Sequence, residues 1–349
     1  MSNSKRGQHT FAEILNQPNA WAETIRLVEG RAGALSALAD GADEVIFTGC
    51  GSGLNASRAM APAFQHFTGI RARAVPAAEV VYFGDSVLAR RGTSLVVLVS
   101  RSGETTETVM AGEAARARGS KTLAITCYPR SSMAQAATEC LALEAANEQS
   151  VTTTQSLTSM VLCGQLLAGI AAGNGGYLEQ LRRLPALGCQ VIERYQDLGR
   201  RIAEDDRITK FAFVGSGPYY GLARESQLKV KEMVLLPSDA YPVLDYRHGP
   251  KSNVDEHMLV TLLMSDSARR VEGEFLREMT GLGGNLFVLA DGAEPDADYR
   301  VALGSGLSEF VRDILYMPPI HFLAYYKSLR RGQDPDNPAN LTYWVETAR

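Results

Sequence analysis

The sequence predicts an α/β fold built from two copies of one strand–helix unit. Three observations carry that expectation. Short continuous apolar runs, such as the one at 95–99, are bounded by polar residues, which suits strands buried on both faces of a parallel sheet. These runs alternate with helical patterns, often across a glycine or hydroxyl turn, the order of α/β layering with right-handed crossovers. The pattern then repeats: FTGCGSG at 47–53 resembles FVGSGPY at 213–219 (offset 166), LVVLVS at 95–100 resembles LVTLLMS at 259–265 (offset near 165), and TLAIT at 122–126 resembles LFVLA at 286–290 (offset 164). Three matches in one order at nearly constant offset imply duplication. The alternative is that buried parallel strands simply look alike.

The elements follow in order. Residues 11–39 read as helix through Phe11, Ile14, Leu15, Trp21, Ile25, Leu27 and Val28, with Pro18 among them. A strand at 45–48 closes in Gly49-Cys50-Gly51-Ser52-Gly53, and a helix runs over 54–68. Residues 72–75 can form a second strand; the run at 95–99 ends in Ser100-Arg101-Ser102-Gly103-Glu104-Thr105 and a helix follows to about 118. After a strand at 122–126, the stretch 176–202 reads as a helical connector. The strand at 211–214 ends in Gly215-Ser216-Gly217, and Leu222, Leu228, Val230 and Leu235 mark the helix after it. Pro237 and Pro242 break that helix, and a loop delivers Arg247-His248-Gly249-Pro250-Lys251-Ser252. The expected division is a helical leader (1–30), a first domain (31–185) and a second domain with the C-terminal tail (186–349).

Composition narrows the function. The 349 residues are 45% hydrophobic and 21% charged, ordinary for a globular chain of two domains. A formal net charge of -4 gives no nucleic-acid footprint. No apolar run approaches the roughly 20 residues of a membrane span, and the N-terminus lacks the apolar core of a signal peptide. Five cysteines without metal-type spacing read as reduced thiols, so a cytoplasmic location without a metal is expected.

Several residues could carry chemistry. In the Ser100–Thr105 loop, hydroxyls and N–H groups converge where a strand ends and a helix begins, a place that favours an anion. Ser102, Gly103 and Thr105 fit such a cradle, and helix capping fits equally. Ser52 and Gly53 could form its second side, or merely a tight turn. The hydroxyl-rich stretch at 150–156 precedes an apolar helix and reads also as a capping cluster. Glu225, Lys229 and Glu232 stand at i, i+4 and i+7 and share one helix face. Glu232 can act as a base if burial or a neighbour tunes it, Lys229 can hold an oxyanion or steer that carboxylate, and His248 lies on a glycine–proline loop. Each of these, taken singly, also fits a solvated surface residue.

Together these residues resemble the sugar isomerase (SIS) family of phosphosugar enzymes, over nearly the whole chain, as two tandem SIS domains. In style they are similar to galactosamine-6-phosphate deaminase/isomerases and to the isomerase half of glucosamine-6-phosphate synthase. The matching segments are Glu13-Ile14-Leu15-Asn16-Gln17-Pro18, Cys50-Gly51-Ser52, Ser100 to Thr105, Glu148-Gln149-Ser150-Val151 onward, and Glu225, Lys229 and Glu232 with His248-Gly249-Pro250. The resemblance implies two parallel five-stranded sheets, each between helices in three αβα layers. It implies that Ser52, Gly53, Ser100, Arg101, Ser102, Thr105, Ser150 and Val151 contact the substrate and its phosphate. It also implies that Glu232 shuttles a proton between C1 and C2, and that His248, oriented by Glu225, assists ring opening. A homodimer with shared sites is implied, His248 coming from the neighbouring subunit. The aromatic segment at 317–344 (Phe322, Leu323, Tyr325, Tyr326, Tyr343, Trp344) is a candidate for its interface.

Departures from the family are equally specific. Tyr343 stands where the synthase has its ring-opening lysine, Gly53 where many relatives have serine, and Arg101 where the synthase has glutamine. The synthase's amidotransferase domain has no match, so glutamine-dependent synthesis is not expected. The expectation is a cofactor-independent isomerase of a hexose or hexosamine 6-phosphate, with or without ammonia release. A fructosyl-amino-acid 6-phosphate deglycase is the enzymatic alternative, and a sugar-phosphate sensor the non-enzymatic one.

Overall fold

The computed structural model describes residues 6–89, 92–292 and 296–345. The chain forms two units. The first holds Asn16–Glu148, Thr153–Pro185 and residues 342–345; the second holds residues 6–15, Gln149–Thr152 and Ala186–Leu341. The tail that chain order assigns to the second domain therefore packs with the first.

In the first unit, β1 (Glu44–Gly49), β2 (Arg71–Pro76), β3 (Ser94–Val99), β4 (Lys121–Thr126) and β5 (Glu139–Ala142) form one sheet in the order β2-β1-β3-β4-β5. All its pairings are parallel. Every residue of β1 and β3 is buried, as continuous apolar runs require when helices cover both faces. The helices Ser52–Thr68, Thr106–Ala117 and Gln155–Ala171 supply that cover, the last buried along nearly its whole length.

The second unit repeats the plan. Its strands β6 (Lys210–Gly215), β7 (Ser238–Tyr241), β8 (Met258–Leu263), β9 (Asn285–Ala290) and β10 (Tyr299–Ala302) are ordered β10-β9-β8-β6-β7, again parallel throughout. Strand for strand, β6 to β10 take the places of β1 to β5. The two parallel five-stranded sheets flanked by helices are the tandem architecture that the sequence implies. Each sheet has one topological switch point, between β1 and β3 in the first and between β6 and β8 in the second. Ligands of open parallel sheets bind in the crevice beyond the strand ends at that point.

Three strands escape the apolar-run reading: β5, β7 and β10 have four residues each and are mixed in polarity. The expected helix over 11–39 is two helices, Gln8–Glu29 with Pro18 inside it and Ala32–Ala39. The connector is likewise two, Gly175–Leu181 and Leu184–Glu204.

Candidate active site

The first unit holds a nest of hydroxyls at its switch point. Gly49 pairs with Val99, so the loops after β1 and β3 start side by side. A Cβ on Gly53 would lie 2.2 Å from the Val99 carbonyl oxygen. Close approach of helix to strand thus demands glycine, and no side chain fits this backbone. The Gly53 N–H donates to the Cys50 carbonyl at 2.9 Å. Thr153 Oγ1 donates to Ser52 Oγ at 2.9 Å. In the loop after β3, Ser100 Oγ lies 3.1 Å from Thr105 Oγ1 and 3.4 Å from Ser102 Oγ. The N–H groups of Gly103 and Glu104 donate to the Ser100 and Ser102 hydroxyls, each at 3.2 Å. Gly103 takes φ +67°, where a Cβ would meet Ser131 Oγ at 2.1 Å, so this turn too is built for glycine.

Arg101 has another setting. Its side chain is 6% exposed and lies 3.4 Å from Glu148, whose side chain is fully buried. Its guanidinium stacks 3.8 Å above the Tyr343 ring centroid and donates to the Tyr343 carbonyl at 3.2 Å. Glu148 also accepts from the Thr154 N–H at 2.5 Å and from the hydroxyls of Thr154 and Ser156. Arg101 is thus a locked strut whose charge is already matched by Glu148. The Tyr343 hydroxyl donates to the Glu148 carbonyl at 2.6 Å, and burial pushes the phenol up. A phenol there cannot form the imine that a lysine could.

Ser150 and Val151 belong to the second unit. The Ser150 hydroxyl is buried and donates to the Glu13 carboxylate and the Thr152 carbonyl, while the Gln149 N–H donates to Glu13 at 2.6 Å. Val151 N–H donates to the Asp336 carbonyl at 2.9 Å. Glu13 of the leader thus pins this segment. Within the first unit, Gln17 accepts from Thr158 Oγ1 at 3.1 Å.

The second unit holds the ionic cluster. The helix Tyr219–Lys229 passes into a π-helical turn, Val230–Val234, which stops at Leu235 in the left-handed region (φ +57°). π turns are rare and recur at functional sites. Lys229 is fully buried, 2.6 Å from Glu232 and 3.2 Å from Glu225. Glu225 is also fully buried, whereas the Glu232 side chain is 20% exposed. Burial alone would lower the lysine; the two carboxylates outweigh it and hold the ammonium above its ordinary range. One cation thus serves two carboxylates, one sealed in and one reaching solvent. Such a pair can keep a base ionised and aimed.

His248 stands apart. It is exposed, and among the described residues its ring bonds neither Glu225, Lys229 nor Glu232. Its loop is anchored by Arg247 and Lys251, which lie 2.7 and 2.5 Å from Glu278. His321, which carries no motif in the sequence, proves the more unusual histidine. It is fully buried, and neither ring nitrogen has a hydrogen-bond partner among the described residues. Burial, and secondarily the charge of Lys229, push it down to about 3. One signal was available: His321 interrupts an otherwise apolar run, MPPIHFL. The aromatic segment at 317–344 is largely spent within the fold. Phe322, Leu323 and Tyr325 are buried, and Phe11 packs on Phe322 and Tyr325. Trp344 of the same segment is 42% exposed. No group of three or more metal-ligating side chains that could hold a metal occurs among the described residues. No described helix is long and apolar enough to cross a membrane.

Comparison with known proteins agrees with this anatomy. The SIS domain family model matches residues 40–169. The chain is 31% identical, over 95% of its length and 91% of the relative's, to a Streptomyces coelicolor protein assigned as D-galactosamine-6-phosphate deaminase AgaS. It is 27% identical to the glutamine–fructose-6-phosphate aminotransferase of Methanothermobacter thermautotrophicus, of which it spans 56%. Among solved structures, the glucosamine-6-phosphate deaminase of Thermotoga maritima superposes with a TM-score of 0.80 at 29% identity, over 97% of this chain and 99% of that one. The tagatose-6-phosphate ketose/aldose isomerase of Escherichia coli shares the fold, with a TM-score of 0.87 at 23% identity over 96% of each chain. With a buried carboxylate–lysine–carboxylate cluster in one α/β unit and a hydroxyl nest in the other, the chain belongs to the SIS family of phosphosugar isomerases.

Proposed function

We propose that the protein is an aldose–ketose isomerase of a hexosamine 6-phosphate that releases ammonia. The observation that carries this reading is the Glu225–Lys229–Glu232 cluster, in which a sealed cation holds one solvent-reaching carboxylate ready as a base. The names of the two deaminase-type relatives support the amino sugar. In the open-chain aldosamine, Glu232 takes the proton from C2 and returns it to C1. The C2 amine becomes a ketimine; water adds to it, and ammonia leaves the ketose. The hydroxyls of Ser52, Ser100, Ser102 and Thr105 hold the phosphate, and His248 of a second subunit assists ring opening. Tyr343 supplies no amine, so the C2 imine uses the substrate's own nitrogen.

The test is a turnover panel of hexosamine 6-phosphates, hexose 6-phosphates and fructosyl-amino-acid 6-phosphates, read for ammonia, ketose and amino acid. Ammonia and ketose from a hexosamine 6-phosphate are expected, and Glu232→Gln should cut that rate by about 10²- to 10⁴-fold. Amino acid from the fructosyl substrates would replace the reading with a deglycase. Binding without turnover of any of them would replace it with a sensor.

A further inference from the structure

The hydroxyl loop of the first unit has a counterpart in the second. β8 occupies in its sheet the place of β3, beside the switch point. Each strand runs into a serine-bearing turn and then a helix, Thr106–Ala117 after one and Arg269–Gly281 after the other. In the first turn the hydroxyls of Ser100, Ser102 and Thr105 face one another. In the second, both serine hydroxyls and one backbone N–H meet a single carboxylate. Ser265 Oγ donates to Glu309 Oε2 at 2.7 Å, the Asp266 N–H donates to the same oxygen at 3.0 Å, and Ser267 Oγ donates to Oε1. Glu309 lies 44 residues beyond Ser265, on the short helix Glu309–Arg312, so this is not a local cap. Two guanidiniums flank the turn: Arg269 and Arg312 lie 2.9 and 2.7 Å from the Asp266 carboxylate, and Arg312 is 1% exposed. Burial by itself would raise the Glu309 carboxyl; its donors outweigh burial and hold it below the ordinary carboxylate range.

Two hydroxyls, a backbone N–H and nearby guanidiniums are the donor set that a phosphate uses. We infer that the loop after β8 is an anion-binding loop whose anion is the chain's own Glu309. The second crevice is thereby closed to phosphate, and each chain keeps a single phosphate site at the loop after β3. The last clause rests on the phosphate role proposed for Ser100, Ser102 and Thr105; the rest does not. A second carboxylate borders the crevice: Glu272 is fully buried, accepts the Ser265 N–H at 2.8 Å, and is pushed up by burial to about 7. At pH 6 it is mostly neutral and opposes an incoming anion least.

The experiment is a titration of the full-length protein with inorganic phosphate at pH 6, by calorimetry and thermal shift, in wild type and Glu309→Ala. The wild type should take one phosphate per chain and the variant two. Adding Ser265→Ala and Ser267→Ala to Glu309→Ala should abolish the gain. If Glu309→Ala is unstable, millimolar phosphate should restore its melting temperature. A folded variant with the wild-type stoichiometry, or an unstable one that phosphate does not restore, overturns the inference. If the wild type takes none and Glu309→Ala takes one, the second loop is as inferred, and it is the phosphate role of the first loop that falls.

Discussion

Lys229→Met is the sharpest test of the ionic cluster. The substitution keeps side-chain volume and removes only the ammonium. It leaves Glu225 at zero exposure and Glu232 at 20% exposure sharing one buried space with no cation between them. Removing one partner of a buried ion pair costs about 3–5 kcal/mol, because the remaining charge is left desolvated. The same change at an exposed pair costs about 0–1 kcal/mol. Full burial of Lys229 places it in the first class. The pH dependence has a definite sign. Without Lys229 the two carboxylates repel and are poorly solvated, so their charged forms oppose folding. The neutral form then folds better, and the variant should lose stability as pH rises from 5 to 8. In the wild type the folded pKa of Lys229 is raised. Its contribution is complete below the unfolded value of about 10.4 and is lost only as pH rises through the folded one.

Urea denaturation of both proteins at pH 5.0 and 8.0 measures this directly. The expected loss is about 3–5 kcal/mol at pH 8.0 and clearly smaller at pH 5.0. Glu225→Gln introduced into Lys229→Met should recover part of it, since one orphaned charge is gone. A Lys229→Met protein within about 1 kcal/mol of wild type at pH 8.0, or equally destabilised at both pH values, would show that the cluster is solvated and the argument from burial wrong.

Three further predictions concern the other groups. Ser102→Ala and Thr105→Ala should each weaken binding of a sugar-phosphate analogue by about 1–2 kcal/mol with little effect on bound-state turnover; unchanged affinity in both would move the phosphate elsewhere. His321 is held neutral by burial, its folded pKa pushed from 6.5 down to about 3. Stability that it permits above its unfolded pKa is therefore lost as pH falls from 6.5 toward 3. Acidifying from pH 7 to 5 should cost the wild type about 2 kcal/mol more than His321→Leu, and equal losses in calorimetric melts would refute this. Mixing inactive Glu232→Gln with inactive His248→Ala under subunit exchange should restore about a quarter of wild-type activity if base and histidine meet across a two-fold dimer. No recovery, with exchange confirmed by mass spectrometry, would remove the shared site and leave the isomerase reading intact.

What the sequence disclosed follows from which contacts are local. The central strands were legible because a strand buried on both faces must be apolar at every position, as in Leu95, Val96, Val97, Leu98 and Val99. The edge strands β5, β7 and β10 were not, because one side pairs with nothing and their residues are mixed. The stripe Glu225, Lys229, Glu232 was legible as helical spacing; the π turn that follows Lys229 and the complete burial of the lysine were not. The setting of Arg101 was not legible, because its partners lie 47 and 242 positions away, in Glu148 and Tyr343. Gly53 read as one side of a cradle or as a tight turn, while the constraint on it is a carbonyl oxygen of the neighbouring strand.

The same distinction explains why the duplication was visible and its divergence was not. Strand and turn segments of the two copies align at a near-constant offset because each is fixed by local packing inside its own sheet. Ser265 and Ser267 keep the look of the hydroxyl turn at Ser100 and Ser102. What differs is the group they meet. That group, Glu309, is set by a helix 44 residues farther on. A copy of a binding loop can thus persist in sequence after its site has been filled from elsewhere in the chain. A donor-rich turn in a parallel sheet therefore names a ligand site only once the group facing its donors is known.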